Sequence, residues 1–185
     1  MAVTWNRIAR RIRVPLGFAF AFLFLWLAKP TPLFLVVSLA LVAPGLLLRG
    51  YASGYVKKNA ELTTTGPYAH TRNPLYLGSM MIAFGFALAA RSIWIAVVLV
   101  VLFVAIYVPV IRSEEEYLRS AFPEFDAYAA TVPRLLPRMV PAGGSGVTKG
   151  VFAAALYRKH REYNALLGAV GMYAALILKL MLLRK

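Results

Sequence analysis

Apolar runs too long for the interior of a small soluble domain recur through this sequence, at 14–28, 33–48, 75–90, 93–111 and 163–183. No other feature limits the fold as strongly. In hydrocarbon every backbone N–H and C=O must pair within its own segment, which leaves helices as the way across. The separators carry turn and charge signals. Lys29-Pro30-Thr31-Pro32 reads as a turn joining the first two runs into a hairpin, and Arg91-Ser92 as a tight turn between the third and fourth. Arg91 places that second turn at an interface, because arginine at a helix centre costs about 2.5–3.5 kcal/mol. The first two runs fall slightly below the ~20 residues of a usual span, so flanking aromatics and arginine stems complete them. The expected fold is all-α: one polytopic membrane helical bundle of about five transmembrane helices, with a cytoplasmic amphipathic segment.

Composition sharpens this reading. The chain is 61% hydrophobic, with a mean hydropathy of +0.68, against roughly 45–50% apolar in soluble proteins. The absence of cysteine excludes a disulfide framework, a thiolate metal site and a cysteine nucleophile. His70 and His160 lie too far apart to make a zinc spacing. A net charge of +14 fits either nucleic acid or an anionic membrane surface. The basic residues flank apolar runs, so the partner is the membrane bilayer and no nucleic acid is expected.

Arg7, Arg10, Arg11 and Arg13 precede the first run as in a signal peptide, but no small-residue cleavage pattern follows, so a retained first span is expected. With the N-terminus cytoplasmic, segments 1–13, 49–74 and 112–162 lie inside and carry about sixteen of the 21 Lys and Arg. An integral protein of a cytoplasm-facing membrane, its N-terminus and site cytoplasmic, follows. The polar loop 49–73 contains Lys57, Lys58, Asn59 and Glu61, of which the lysines read as solvated or lipid-facing. After Arg112 the chain becomes amphipathic through residue 137. There Ser113 is expected to cap a new helix whose first turn holds Glu114, Glu115 and Glu116. Residues 142–150, with Gly143-Gly144-Ser145-Gly146, read as a flexible linker, and 151–185 as a C-terminal amphipathic and transmembrane helix.

The longest polar interruption holds Gly66-Pro67-Tyr68-Ala69-His70-Thr71-Arg72-Asn73-Pro74-Leu75-Tyr76-Leu77-Gly78. Gly66-Pro67 marks a turn, and Asn73-Pro74 a helix start, with Pro74 at a position where its missing N–H costs nothing. This loop delivers Arg72 to the mouth of the third run. The hairpin of the third and fourth runs then returns the chain to the same membrane face, which brings Arg72, Asn73 and Tyr76 beside Glu114 and Glu115. Such convergence has two readings on spacing alone. Arg72 could hold a carboxylate while Glu114 or Glu115 holds an ammonium, or the set is an interfacial salt bridge with helix capping.

These two motifs together resemble the integral-membrane methyltransferases that include isoprenylcysteine carboxyl methyltransferase and the phospholipid N-methyltransferases. The resemblance rests on Gly66-Pro67-Tyr68, Arg72-Asn73-Pro74-Leu75-Tyr76 and Gly78, then Glu114-Glu115-x-x-Leu118, Phe122, Tyr128 and Arg134-Leu135-Leu136-Pro137. It covers residues 49–137, the methyltransferase-like core. Asn73 stands where many members have histidine, Pro123 replaces a glycine, and the last run lies outside the shared region. The resemblance implies S-adenosylmethionine as cofactor and a lipid or lipidated acceptor entering from the membrane. It assigns cofactor binding to Gly66, Pro67, Tyr68, Arg72, Asn73, Pro74, Tyr76, Glu114 and Glu115, catalysis to Arg72 and Glu115, and no metal.

Methyl transfer is an in-line attack that requires aligned reactants and little else. The leading expectation is transfer to the carboxylate of an isoprenylcysteine-like or other lipid. A phospholipid amine acceptor, which needs a base to remove its proton, stays open. Two other classes remain: a nicotinamide-dependent membrane sterol-type reductase on the same helical core, and a non-enzymatic membrane scaffold. His70 reads as a loop histidine and His160 as an interface anchor.

Overall fold

Proline, glycine and charge set the helix ends where the apolar runs break. The computed structural model of the protein describes residues 21–57, 61–142 and 150–183, and all regular structure among them is helical. A helical stretch at 21–27 leads through a turn to α1 (Pro32–Ser53). A short 3-10 turn, Gly66–Ala69, precedes α2 (Pro74–Ala90). Next comes α3 (Ile93–Ala121), then the short helices α4 (Phe125–Thr131) and α5 (Ala154–Lys159), and finally α6 (Tyr163–Leu183).

Three helices are long and apolar enough to cross a membrane: α1, α3 and α6. At about 1.5 Å per residue, α2 measures roughly 26 Å, short of a ~30 Å hydrocarbon core. With α2 as a shorter apolar helix beside these three, the described residues form the expected all-α membrane helical bundle. Most of the first expected span, with Arg7, Arg10, Arg11 and Arg13, lies outside the described residues, as do Lys58, Asn59 and the Gly143-Gly144-Ser145-Gly146 stretch. Large apolar side chains stand exposed along all three long helices, among them Leu47, Val97, Val101, Leu167 and Leu178. Hydrocarbon is the solvent that makes such a surface stable.

Two boundaries differ from expectation. The second apolar run ends at Leu48, yet α1 continues to Ser53. Arg49 terminates the apolar stretch but not the helix, because its guanidinium finds a carboxylate partner, described below. The second correction concerns Ser113. It is no N-cap: α3 runs unbroken from Ile93 to Ala121, so the carboxylates sit deep in a long helix. Pro109, within this helix, is accommodated by a π-helical turn at Phe103–Tyr107, in which the Val108 N–H donates to Phe103 O. The widened turn displaces the carbonyls that a proline ring would otherwise strike. At roughly 44 Å, α3 exceeds a hydrocarbon core, so its Glu-rich end projects beyond it.

The core joins five elements: the 21–27 stretch, α1, α2, α3 and α6. Phe24, Leu35, Val42, Phe86, Ile95, Ala169 and Leu176 are all buried in one cluster. α1 and α2 meet at backbone distance: a Cβ added at Gly45 would come 2.8 Å from Gly78 O, and one added at Gly78 would come 2.8 Å from Gly45 O. Small residues facing each other are what let membrane helices approach this closely. Past its helical end at Ala90, α2 closes on Arg91, which adopts a left-handed conformation with its guanidinium over the Phe34 ring. That confirms the tight turn. α6 occupies the position expected of the last span.

Candidate active site

At the end of the bundle where α1, α2 and the projecting part of α3 meet, a cavity of about 530 Å³ opens. Its size falls within the range of ordinary ligand sites. The polar loop forms one wall. Gly66 has φ of 60°, and a Cβ there would strike the Tyr55 ring, so both backbone conformation and space require glycine. Pro67 and Tyr68 are buried behind it. The Tyr128 hydroxyl donates to Tyr68 O at 2.8 Å, which ties α4 to this wall. Burial pushes both phenols, Tyr68 and Tyr128, above their ordinary pKa, so each stays neutral.

The segment after α4 lies along the loop. Arg72 N–H donates to Pro133 O, Arg138 N–H to His70 O and Ala142 N–H to Ala69 O. Asn73 is buried and its amide donates to Arg134 O at 2.9 Å, while Thr71 Oγ1 donates to Leu135 O at 3.0 Å. His70 Nδ1 donates to Arg138 O, which fixes it as a loop histidine. Pro74 opens α2 and is buried.

Arg72 and Glu115 meet as the hairpin geometry requires. Arg72 Nη2 lies 3.0 Å from Glu115 Oε1. Arg72 Nε donates to the same oxygen, and Nη1 donates to Ala129 O and Val132 O. The other Glu115 oxygen accepts from Arg134 Nε and Nη2, at 3.0 and 2.7 Å. Glu115 is thus buried between two guanidinium groups, and Arg72 faces protein on every side that donates. Glu114, one residue earlier, is exposed and accepts from the Tyr76 hydroxyl at 3.0 Å. Tyr76 also meets the Tyr107 ring edge-on.

Several participants were not expected. In the sequence Arg134 stands only as the basic residue that closes the second motif, Arg134-Leu135-Leu136-Pro137. Arg49 reaches into the cavity wall and pairs with Glu162 at 2.8 Å, with a second contact to Ser79 Oγ. Glu162 was legible in principle, being the single carboxylate within 150–185, surrounded by basic residues. Four carboxylates line the cavity: Glu61, Glu114, Glu115 and Glu162. Lys57 pairs with Glu61, Arg49 with Glu162, and Arg72 and Arg134 with Glu115. Among the described residues only Glu114 faces this space without a cationic partner.

The stretch that builds most of this cavity also matches a known family. Residues 46–124 match the phospholipid methyltransferase family. The matched stretch contains Arg49, the loop motif and the two α3 carboxylates that line the cavity, Glu114 and Glu115; α4, Arg134 and α6 lie beyond it. The chain is 35% identical over 111 residues to the cobalt-zinc-cadmium resistance protein CzcN of Cupriavidus metallidurans, covering 59% of this chain and 51% of that protein. It is 43% identical over 89 residues to the nickel-cobalt-cadmium resistance protein NccN of Alcaligenes xylosoxydans xylosoxydans, covering 48% and 41%. The match thus spans about half of each curated relative or less. No solved structure is significantly similar to the chain.

Proposed function

We propose that this protein transfers a methyl group from S-adenosylmethionine to an amine on a membrane lipid, at the cytoplasmic face. The observation that carries this reading is Glu114, the cavity carboxylate left without a cation. A cavity carboxylate without a direct cationic partner, set among several tyrosine rings, favours cationic ligands. Both a sulfonium and a lipid ammonium are cationic.

The cavity fits the cofactor by its chemistry. Tyr68, Tyr76, Tyr107 and Tyr128 offer ring faces and edges to a purine and a sulfonium, and the volume holds a nucleoside with its amino-acid arm. When bound, S-adenosylmethionine supplies a methyl carbon activated by positive sulfur. Glu114 holds the acceptor ammonium and accepts its proton, which leaves the nitrogen lone pair free to attack. Tyr76 orients Glu114. Glu115, clamped by Arg72 and Arg134, holds the loop and the post-α4 segment in register and so preserves alignment of the reactants.

Transfer to a lipid carboxylate is the second reading. It is weakened because Arg72, the cation that would hold such a group, is already fully engaged. The relatives' names add a possible setting, service to a metal-resistance system, in which the methylated product would act. Incubating the purified protein with methyl-labelled S-adenosylmethionine and a total membrane lipid extract tests the proposal. Label in an amine-bearing lipid is the expected result. Label confined to carboxyl esters would favour the second reading, and no cofactor binding in calorimetry would end both.

A further inference from the structure

A groove of about 290 Å³ runs between α2 and α6 and shares Arg49 and Ser79 with the main cavity. Its walls are Ile82, Ala83 and Phe86 from α2, and Gly168, Ala169 and Met172 from α6. Two polar pins on and beside α6 bracket the groove. Glu162 binds Arg49 at one, and Tyr173 meets Ser38 Oγ at 2.7 Å at the other, with its ring 5.0 Å from that of Phe86. The pins are eleven residues apart, about 16 Å along a helix. Between them small residues leave the gap open: a Cβ added at Gly168 would meet nothing within 4 Å.

The geometry points to a hydrocarbon chain of the acceptor lipid as the occupant of this groove, with α6 selecting among chains by their bulk. This rests on the reading that the acceptor is a lipid. Two observations support that occupant. The walls are apolar except at the end that joins the cavity, so a molecule lying here is apolar along its length and polar only at that end. The outward face of α6, with Leu167 and Val170 exposed, places the groove's opening against the bilayer. Because α6 lies outside residues 46–124, this selectivity belongs to the chain's own C-terminal segment and not to the family-matched stretch.

The test uses the full chain in phosphatidylethanolamine vesicles doped with a phosphatidylethanolamine bearing a mid-chain diazirine, with crosslinks mapped by mass spectrometry. Crosslinks should concentrate at Ile82 and Met172 and fall several-fold in Gly168→Leu. Gly171→Leu is the matched control, because Gly171 also faces open space but lies outside the groove. It should label as the unmodified chain does. Equal labelling in Gly168→Leu and the unmodified chain, with both variants melting alike, would overturn the proposal, as would crosslinks confined to Leu167 and Val170. Crosslinking needs no methyl donor. Groove labelling without any methyl transfer would therefore sink the enzymatic reading alone, and methyl transfer without groove labelling would sink this one alone.

Discussion

Arg134 and Glu115 lie 2.7 Å apart, nineteen residues from each other along the chain, and their contact closes the post-α4 segment over the polar loop. Arg72 holds the other carboxylate oxygen. One buried anion thus fastens three segments: the loop, the projecting end of α3 and the stretch after α4.

Removing that anion should be costly. Glu115→Ala leaves Arg72, whose side chain is only 12% exposed, without its counter-charge. Breaking a buried pair costs about 3–5 kcal/mol. Arg134 is 49% exposed, so Arg134→Ala should cost only about 1 kcal/mol. Thermal melts in detergent should rank Glu115→Ala well below Arg134→Ala; equal losses would contradict the clamp.

Glu114→Gln tests the chemistry separately from the fold. The residue is exposed and contacts Tyr76 alone among the described hydrogen bonds, so the melting temperature should barely move. Removal of a general base typically costs about 10²–10⁴ in rate. With an amine-bearing lipid as acceptor, kcat should fall within that range. A kcat close to that of the unmodified protein would remove Glu114 from the proton-transfer role.

The close contact of α1 and α2 makes a sharper stability prediction. In Gly78→Ala the new methyl meets the carbonyl of Gly45 and the stem of Arg49. Overpacking of this kind costs about 1–3 kcal/mol. Gly168→Ala, in open space, should by contrast raise the melting temperature slightly through helix propensity. Parallel melts of the two variants check the sign of each.

Alkaline pH should loosen the loop wall. Burial raises the pKa of Tyr68 and Tyr128 in the folded protein above the ordinary phenol value of about 10. Their contribution to stability is complete below that value. It is lost as pH rises toward the folded-state values, because the unfolded chain releases these protons first. Absorbance titration at the phenolate band should show a late-ionising group of tyrosines, Tyr68 and Tyr128 among them, whose ionisation accompanies unfolding. Early, independent ionisation of all tyrosines would refute this.

Much of this arrangement was legible in the residues. Arg72 and Glu115 could be placed together because two proline- and glycine-bounded motifs flank a hydrophobic hairpin of fixed length. The 3-10 turn and the start of α2 followed from Gly66-Pro67 and Pro74. Ser113 misled because local capping propensity was weighed without the helix already running into it from Ile93. Arg134 and Glu162 were missed for another reason. Their partners lie 19 and 113 residues away, and no local pattern encodes where a chain returns after α4 or α5.

The π-helical turn at Phe103–Tyr107 amounts to one extra residue in α3, and each residue turns a helix by about 100°. Everything beyond it is clocked by that amount. Were one residue deleted there, Glu115 would swing away from Arg72 by about that angle while the span still crossed the bilayer. Inserted, correctly oriented protein that had lost its clamp would mark that short turn as the phase adjuster of the whole site.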